Sequence, residues 1–316
     1  MVVTAILTIL LQVGSVVMAQ KTKAASGGMG WEEVNQRFGQ ALERNIALPV
    51  VYQDVLGEGP GSWDPDPRYP AGSVNCITWL YLLLGETYAD QPADRKRIMD
   101  RIRYFDGHVG FGFRKHFTDQ WMGLDPEPLS KVDLSRCADV KVHHVVLDPQ
   151  KFAANIGYSC PLYHKDKRTF DINHVNGHGL LKCAGTWRSG YYIVFPLASK
   201  KYLDRYGTKS GPMAQVHAVI VRVPPSDSKK SNAADFKIYH ASIGKGHVVE
   251  TDLESYLFNM SELFRGYAVY QLDPNWNWKS VRPLDDEGKA LQACESKLEG
   301  RVGDIFEAGA APKLNQ

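Results

Sequence analysis

Charge of either sign is not in excess in this chain: 37 Lys and Arg stand against 35 Asp and Glu over 316 residues, a net +2. Without a clustered basic footprint, nucleic acid is not an expected partner. No internal repeat is present, which argues against a solenoid or propeller. The one long apolar run, Val2 to Val17, is shorter than the about 20 residues usual for a membrane span, and no positive residue precedes it. No cysteine follows that run, so a lipid anchor is not expected. Cysteine itself is scarce, with five in the whole chain, and no His-Glu-x-x-His pattern of a zinc hydrolase occurs.

What is present begins with a globular composition, 44% hydrophobic and long enough for a substantial core. Val17-Met18-Ala19 before Gln20 resembles a signal-peptidase site, so residues 1–19 are expected to be a cleaved signal, with an uncleaved anchor as the alternative. The protein is then exported, to the periplasm or beyond. In an oxidising compartment five cysteines cannot all pair. Cys76 is the expected free, reactive thiol; Cys137, Cys160, Cys183 and Cys294 are left to form two disulfides. Three connectivities are open, and Cys160 with Cys183 is preferred because both lie in one weakly patterned segment.

Residues 20–30 read as a flexible spacer and 308–316 as a disordered tail, leaving 31–307 as a single domain expected to act as a monomer. Trp31, Val34, Phe38 and Leu42 recur at helical spacing, and buried and amphipathic helices are predicted over 76–86 and 93–104. From about 137 to 185 histidines, cysteines and polar residues mix, the pattern of an elaborated insertion. Beyond it, the β-rich runs 191–197, 216–223, 236–243 and 267–272 predict an antiparallel sheet, and 286–298 a last helix with Leu291, Cys294 and Leu298 on one stripe. Helices first and sheet after make an α+β fold.

Cys76 opens an apolar helical run, and a thiolate there gains from the helix dipole and unpaired N–H groups, which lower its pKa. Such a nucleophile needs a base, and the base a third group to orient it. His217 and His240 flank a polar tip whose midpoint lies between Ser228 and Lys229. A symmetric hairpin would set them directly opposite each other, about 5 Å apart at Cβ. Cys76 is then nucleophile, His217 base and His240 orienting group, with helix-start N–H groups, including that of Cys76, available to an oxyanion.

Asn75-Cys76-Ile77-Thr78-Trp79, Ile102-Arg103-Tyr104-x-x-Gly107, Phe113-Arg114-Lys115-His116-Phe117-x-Asp119-x-Trp121, Val216-His217-Ala218-Val219 and Tyr239-His240-Ala241-Ser242 occur in that order. Together they resemble the N-acetylmuramoyl-L-alanine amidase-like family of the NlpC superfamily, papain-like enzymes of bacterial peptidoglycan, from about residue 56 to about 272. The resemblance implies a papain-like fold, peptidoglycan or muropeptides as substrate, and the Cys76–His217–His240 triad. Asn75, Arg114, His116 and Trp121 are expected to bind substrate or wall the cleft. Arg114 is suited to a bidentate contact with a stem-peptide carboxylate, the plain alternative being an ion pair with Asp119 or Asp106. The family commonly carries Asp where this chain has Asn75, and an aromatic residue where Gly61 follows Pro60.

No cofactor or metal is expected. Three rivals stay in view: a γ-D-glutamyl-diamino acid endopeptidase of the same fold, a cell-wall-binding module without turnover, and a zinc amidase. The zinc reading would use His174, His178, Cys160, Cys183, His143, His144 and His164.

Overall fold

The computed structural model describes residues 29–51, 56–116, 127–137, 139–164, 168–206, 217–225 and 235–298. The signal segment, most of the spacer, Asp119, Trp121, Val216 and the C-terminal tail therefore lie outside the described residues.

Three helices come first. In α1 (Trp31–Asn45) the apolar stripe Trp31, Val34, Phe38, Ala41 and Leu42 is buried, while Glu32 and Glu33 sit in the first turn and Arg44 in the last, each complementing the helix dipole. A glycine-rich loop leads to α2 (Cys76–Tyr88), which buries Trp79, Leu80, Leu83, Leu84 and Tyr88. α2 packs between α1 and α3 (Asp94–Arg103), whose Ile98 and Ile102 point inward as their spacing predicts.

The sheet that receives them has six strands: β1 (Leu129–Lys131), β4 (Gly190–Ala198), β5 (Val219–Val223), β6 (Lys237–Ser242), β7 (His247–Asp252) and β8 (Phe264–Leu272), ordered β1-β8-β4-β5-β6-β7. Every pairing is antiparallel. Side chains alternate between the faces, and both faces are covered. Ile193, Phe195, Ile220, Tyr239 and Tyr270 pack with Phe38, Leu80, Leu83 and Leu84 on the helical side. Val194, Val219, Val221, Ile238 and Val269 pack with Leu180, Leu253, Tyr256 and Leu257 on the other. The predicted layering of N-terminal helices on a later antiparallel sheet is thus observed, with β1 and β7 added at the two edges.

The segment expected to be an irregular insertion is regular. β2 (Lys141–Leu147) and β3 (Arg168–His174) pair as a separate two-stranded sheet around α4 (Pro149–Asn155), and α5 (Gly177–Ala184) follows. Val175 exchanges backbone hydrogen bonds of 3.1 and 2.8 Å with Tyr267, docking this unit onto β8. α6 (Lys200–Tyr206) follows β4, α7 (Leu253–Met260) follows β7, and α8 (Asp286–Glu295) ends the described chain.

The disulfides correct one expectation. Cys160 bonds to Cys294 and Cys137 to Cys183, rather than Cys160 to Cys183, while Cys76 is the free cysteine. The reason is packing across long sequence distance. Cys160 belongs to a third core with Tyr104, Phe105, Phe111, Phe113, Tyr158 and Leu291, onto which α8 delivers Cys294, whereas α5 carries Cys183 to the second core beside Cys137. No described helix is long and apolar enough to cross a membrane.

Candidate active site

Asn75 begins the site. Its backbone is extended, and its Oδ1 accepts from the N–H groups of Ile77 and Thr78, both at 2.9 Å, while Thr78 Oγ1 accepts from the Asn75 N–H at 2.8 Å. This reciprocal capping box satisfies helix-start donors and fixes Cys76 as the first helical residue. Asn75 was expected among the substrate-binding residues; its side-chain oxygen is instead spent on holding the helix that presents the thiol.

The backbone N–H groups of Ala218, Ile77 and Cys76 itself lie close enough to the Cys76 sulfur to favour its thiolate. Ala218 directly follows His217, so the start of β5 is brought to the helix N-terminus. The rings of His217 and His240 are 5.7 Å apart between centroids and nearly perpendicular, at 85°. Their register differs from the symmetric expectation. β5 and β6 pair Val219 with His240, not His217 with His240. The offset is two residues, an even step that keeps a side chain on the same face. The histidines are diagonal neighbours, still close enough for two rings to touch.

Electrostatics reverse a second expectation. Burial pushes the Cys76 thiol up, and its three N–H partners pull it down by less. Burial, followed by the neighbouring His240, pushes His217 down to about 3, and burial lowers His240 as well. The helix start does act in the predicted direction, but desolvation of a lone charge outweighs it. Both shifts favour the neutral thiol and the neutral imidazole over a thiolate with imidazolium.

Arg114 is engaged by carboxylates of the chain itself. Its guanidinium donates through Nε at 2.7 Å and through Nη2 to Glu58 Oε1, and through Nη1 at 2.8 Å to Asp64. Arg114 is 14% exposed and Glu58 3%, so this is a buried network rather than an open carboxylate receptor. Of the two foreseen partners, Asp106 pairs with Arg101 and Arg282, and Asp119 lies outside the described residues. The loop 57–66 folds back on itself through Gly57 N–H to Pro67 O and Glu58 N–H to Asp64 O, which brings the carboxylates of Glu58 and Asp64 to Arg114 from 56 and 50 residues away. His116 is packed against Phe111 and Phe152, and its Nε2 lies 2.8 Å from the Phe111 carbonyl. Burial and then Arg114 push it down to about 3.

The histidines and cysteines of the zinc reading are not gathered at one point among the described residues. Cys160 and Cys183 are in disulfides with different partners, His144 pairs with Asp171 at 2.6 Å, and His143 accepts from Arg265. His174 is buried, its ring where a side chain on Gly266 would collide with it. Among the described residues, no group of three His, Cys, Asp or Glu is placed to hold a metal ion.

Two tyrosines escaped the sequence reading. Tyr81, on α2, and Tyr256, on α7, both lie within electrostatic reach of Cys76. Tyr256 also packs edge-on against His240, with ring centroids 5.2 Å apart. Only strand pairing and α7 docking bring it there, so no local motif marks it.

Neither a protein-family model nor a curated protein matches the sequence. The fold is shared with solved structures. One is a Legionella pneumophila protein of the DUF1460 family, at 15% identity and a TM-score of 0.58, covering 76% of this chain and 89% of the other. Another is an N-acetylmuramoyl-L-alanine amidase from Bacteroides uniformis, at 16% identity and a TM-score of 0.54, covering 76% and 99%. A Bacteroides fragilis protein provisionally named a xylanase is also similar, at 16% identity and a TM-score of 0.51, covering 74% and 99%. At such identities the likeness is one of fold.

Proposed function

We propose that this protein is an exported, papain-like cysteine amidase of the NlpC superfamily that hydrolyses the amide between the N-acetylmuramic lactyl group and L-alanine in peptidoglycan or muropeptides. The observation that carries the reading is the junction at Cys76. A capped helix start presents a free thiol within electrostatic reach of the N–H of Ala218, the residue after His217, and the His217 ring is paired with that of His240. The amidase among the solved structures of the same fold and the two disulfides, which suit an oxidising compartment, support it.

In this mechanism sulfur attacks the lactyl carbonyl while His217 takes the thiol proton. Proton transfer during attack suits a neutral pair, because no isolated charge is held in the desolvated site beforehand. The Cys76 N–H, at the helix start, faces the negative charge that develops there. His217, now protonated and oriented by His240, gives the proton to the departing L-alanine amine. Water, deprotonated by His217, then attacks the thioester, releasing the lactyl carboxylate and restoring the thiol. The capping role of Asn75 and the wall formed by Arg114 and His116 set the shape of the cleft; Trp121 is assigned to that wall through the resemblance alone.

Mass spectrometry of products from a defined muropeptide tests the reading. The expected products are the intact saccharide with a free lactyl carboxylate and a peptide beginning with L-alanine. Cleavage between γ-D-glutamate and the diamino acid would replace this assignment with the endopeptidase. Cys76→Ala should lose more than about a thousandfold in turnover while keeping the fold. Near-normal turnover in that variant would remove the thiol mechanism.

A further inference from the structure

α7 runs beneath the histidine pair on the face of the sheet away from α1–α3. Asp252 caps it, accepting from the Ser255 N–H at 2.7 Å, and its first turns bury Leu253, Tyr256 and Leu257. Tyr256 is 2% exposed. Its ring meets His240 at 5.2 Å and 62°, an edge-to-face contact that restricts how the imidazole can turn. The hydroxyl is a different matter: it is buried and makes no hydrogen bond among the described residues. A buried hydroxyl left unpaired opposes folding, and such groups in native proteins call for an explanation. Around it lie Cys76 from α2, His240 from β6 and Tyr267 from β8, whose own hydroxyl is also buried without a partner.

We propose that Tyr256 is a positioning residue of the Cys76 site, its ring holding His240 and its hydroxyl reserved for the negative charge that develops at Cys76 during attack. This rests on the amidase reading above. Burial favours the neutral forms of Cys76 and His217, so the charge the hydroxyl would serve arises only during attack. Once sulfur loses its proton and the carbonyl oxygen gains charge, a preoriented O–H dipole lies nearby in a water-poor setting, where such dipoles act most strongly. Burial, with Tyr267 and Cys76 as neighbours, keeps the Tyr256 phenol protonated well beyond neutral pH, so it remains a donor throughout.

Tyr256→Phe separates the two parts, since it keeps the ring against His240 and removes only an unpaired hydroxyl; the fold should be preserved. Two readouts are taken on the full mature protein. The rate of Cys76 alkylation by iodoacetamide against pH reports the thiolate without any muropeptide, and its midpoint should move up by about one unit, a tenfold loss of thiolate at a given pH. Turnover of muropeptide should fall about 10- to 100-fold in kcat, with KM within about twofold. Tyr267→Phe, which removes the neighbouring unpaired hydroxyl, should change neither. An unshifted alkylation profile in Tyr256→Phe, whatever happens to kcat, overturns the charge-stabilising role. An equal shift in Tyr267→Phe overturns it too, because the effect would then belong to the buried hydroxyls in general. If wild-type protein turns over no muropeptide, the amidase reading fails separately, and the alkylation profile still decides the role of Tyr256.

Discussion

A cysteine at a helix start is subject to two opposing influences, and here the geometry favours the neutral form. The N–H groups of Ile77, Cys76 and Ala218 favour thiolate, while the buried setting of the sulfur and the depressed basicity of His217 favour thiol. The sign follows directly. A thiol pushed up stays protonated to higher pH, and an imidazole held down to about 3 stays neutral through the whole range in which an ordinary histidine titrates. Wild-type alkylation should therefore climb through the alkaline region, above the pH at which a free cysteine reacts. A plateau extending from neutral down to mildly acidic pH would show an ion pair instead. Arg114 poses a second residue-scale question. Since Glu58 and Asp64 already occupy its guanidinium, Arg114→Lys should act on stability more than on substrate choice. A lysine cannot reproduce the forked contact, and leaving Glu58 poorly paired should cost about 3 kcal/mol in denaturant unfolding. Amidating a substrate carboxylate should then affect wild type and variant alike. A loss confined to the wild type would restore Arg114 as a substrate receptor.

At the scale of elements, the N-terminus of α2 couples local sequence to chemistry most directly. Asn75→Ala removes the acceptor of two N–H groups and should cost about 1 kcal/mol of stability, with a larger fall in turnover because the helix start also places Cys76. Asn75→Asp keeps the capping oxygen and should recover the stability, and its carboxylate should push the thiol further up. Measuring unfolding and alkylation on the pair separates the two effects. If Asn75→Ala loses neither stability nor activity, the cap does not position the nucleophile. The same scale shows what could be read in advance. Helical spacing in α1 to α3 and β-rich runs in β4, β5, β6 and β8 were legible because each buries a regular stripe. β2 and β3 were not, because each buries only two residues and β2 leaves Val142 and Val146 exposed, so neither shows a clean alternation of apolar-in and polar-out. The hairpin register was off by two residues, with Val219 rather than His217 opposite His240; the even step still left His217 and His240 together. Tyr256, Glu58 and Asp64 reach their positions only through tertiary packing, which no local pattern encodes.

Across the whole molecule, three cores are tied by two covalent links, and the links explain why the middle segment is not a loose insertion. Cys137–Cys183 spans 46 residues and holds the β2–β3 unit with α5 beside the sheet. Cys160–Cys294 spans 134 residues and pins α8 against the third core, where Glu295 accepts from the Gly112 N–H at 2.7 Å and the Tyr158 hydroxyl at 2.6 Å. That cluster also contains Phe111 and Phe113, which lead into Arg114, so on the proposed reading the C-terminal helix bears on the cleft from a distance. On the chain-entropy estimate the longer closure contributes about 5 kcal/mol and the shorter about 4, both upper figures if the unfolded chain keeps structure. Thiol counting on the unreduced, unfolded mature protein should find one sulfhydryl, and mapping should place it at Cys76. Replacing both Cys160 and Cys294 with alanine should lower stability by several kcal/mol and reduce turnover through loss of the α8 contacts, whereas replacing Cys137 and Cys183 should lower stability with a smaller effect on turnover. The contrast between the two pairs is the decisive measurement. Should the Cys137 and Cys183 pair prove the more damaging to kcat, the cleft would depend on the β2–β3 unit and α5 rather than on the third core, and the path from α8 to the Arg114 wall would have to be abandoned.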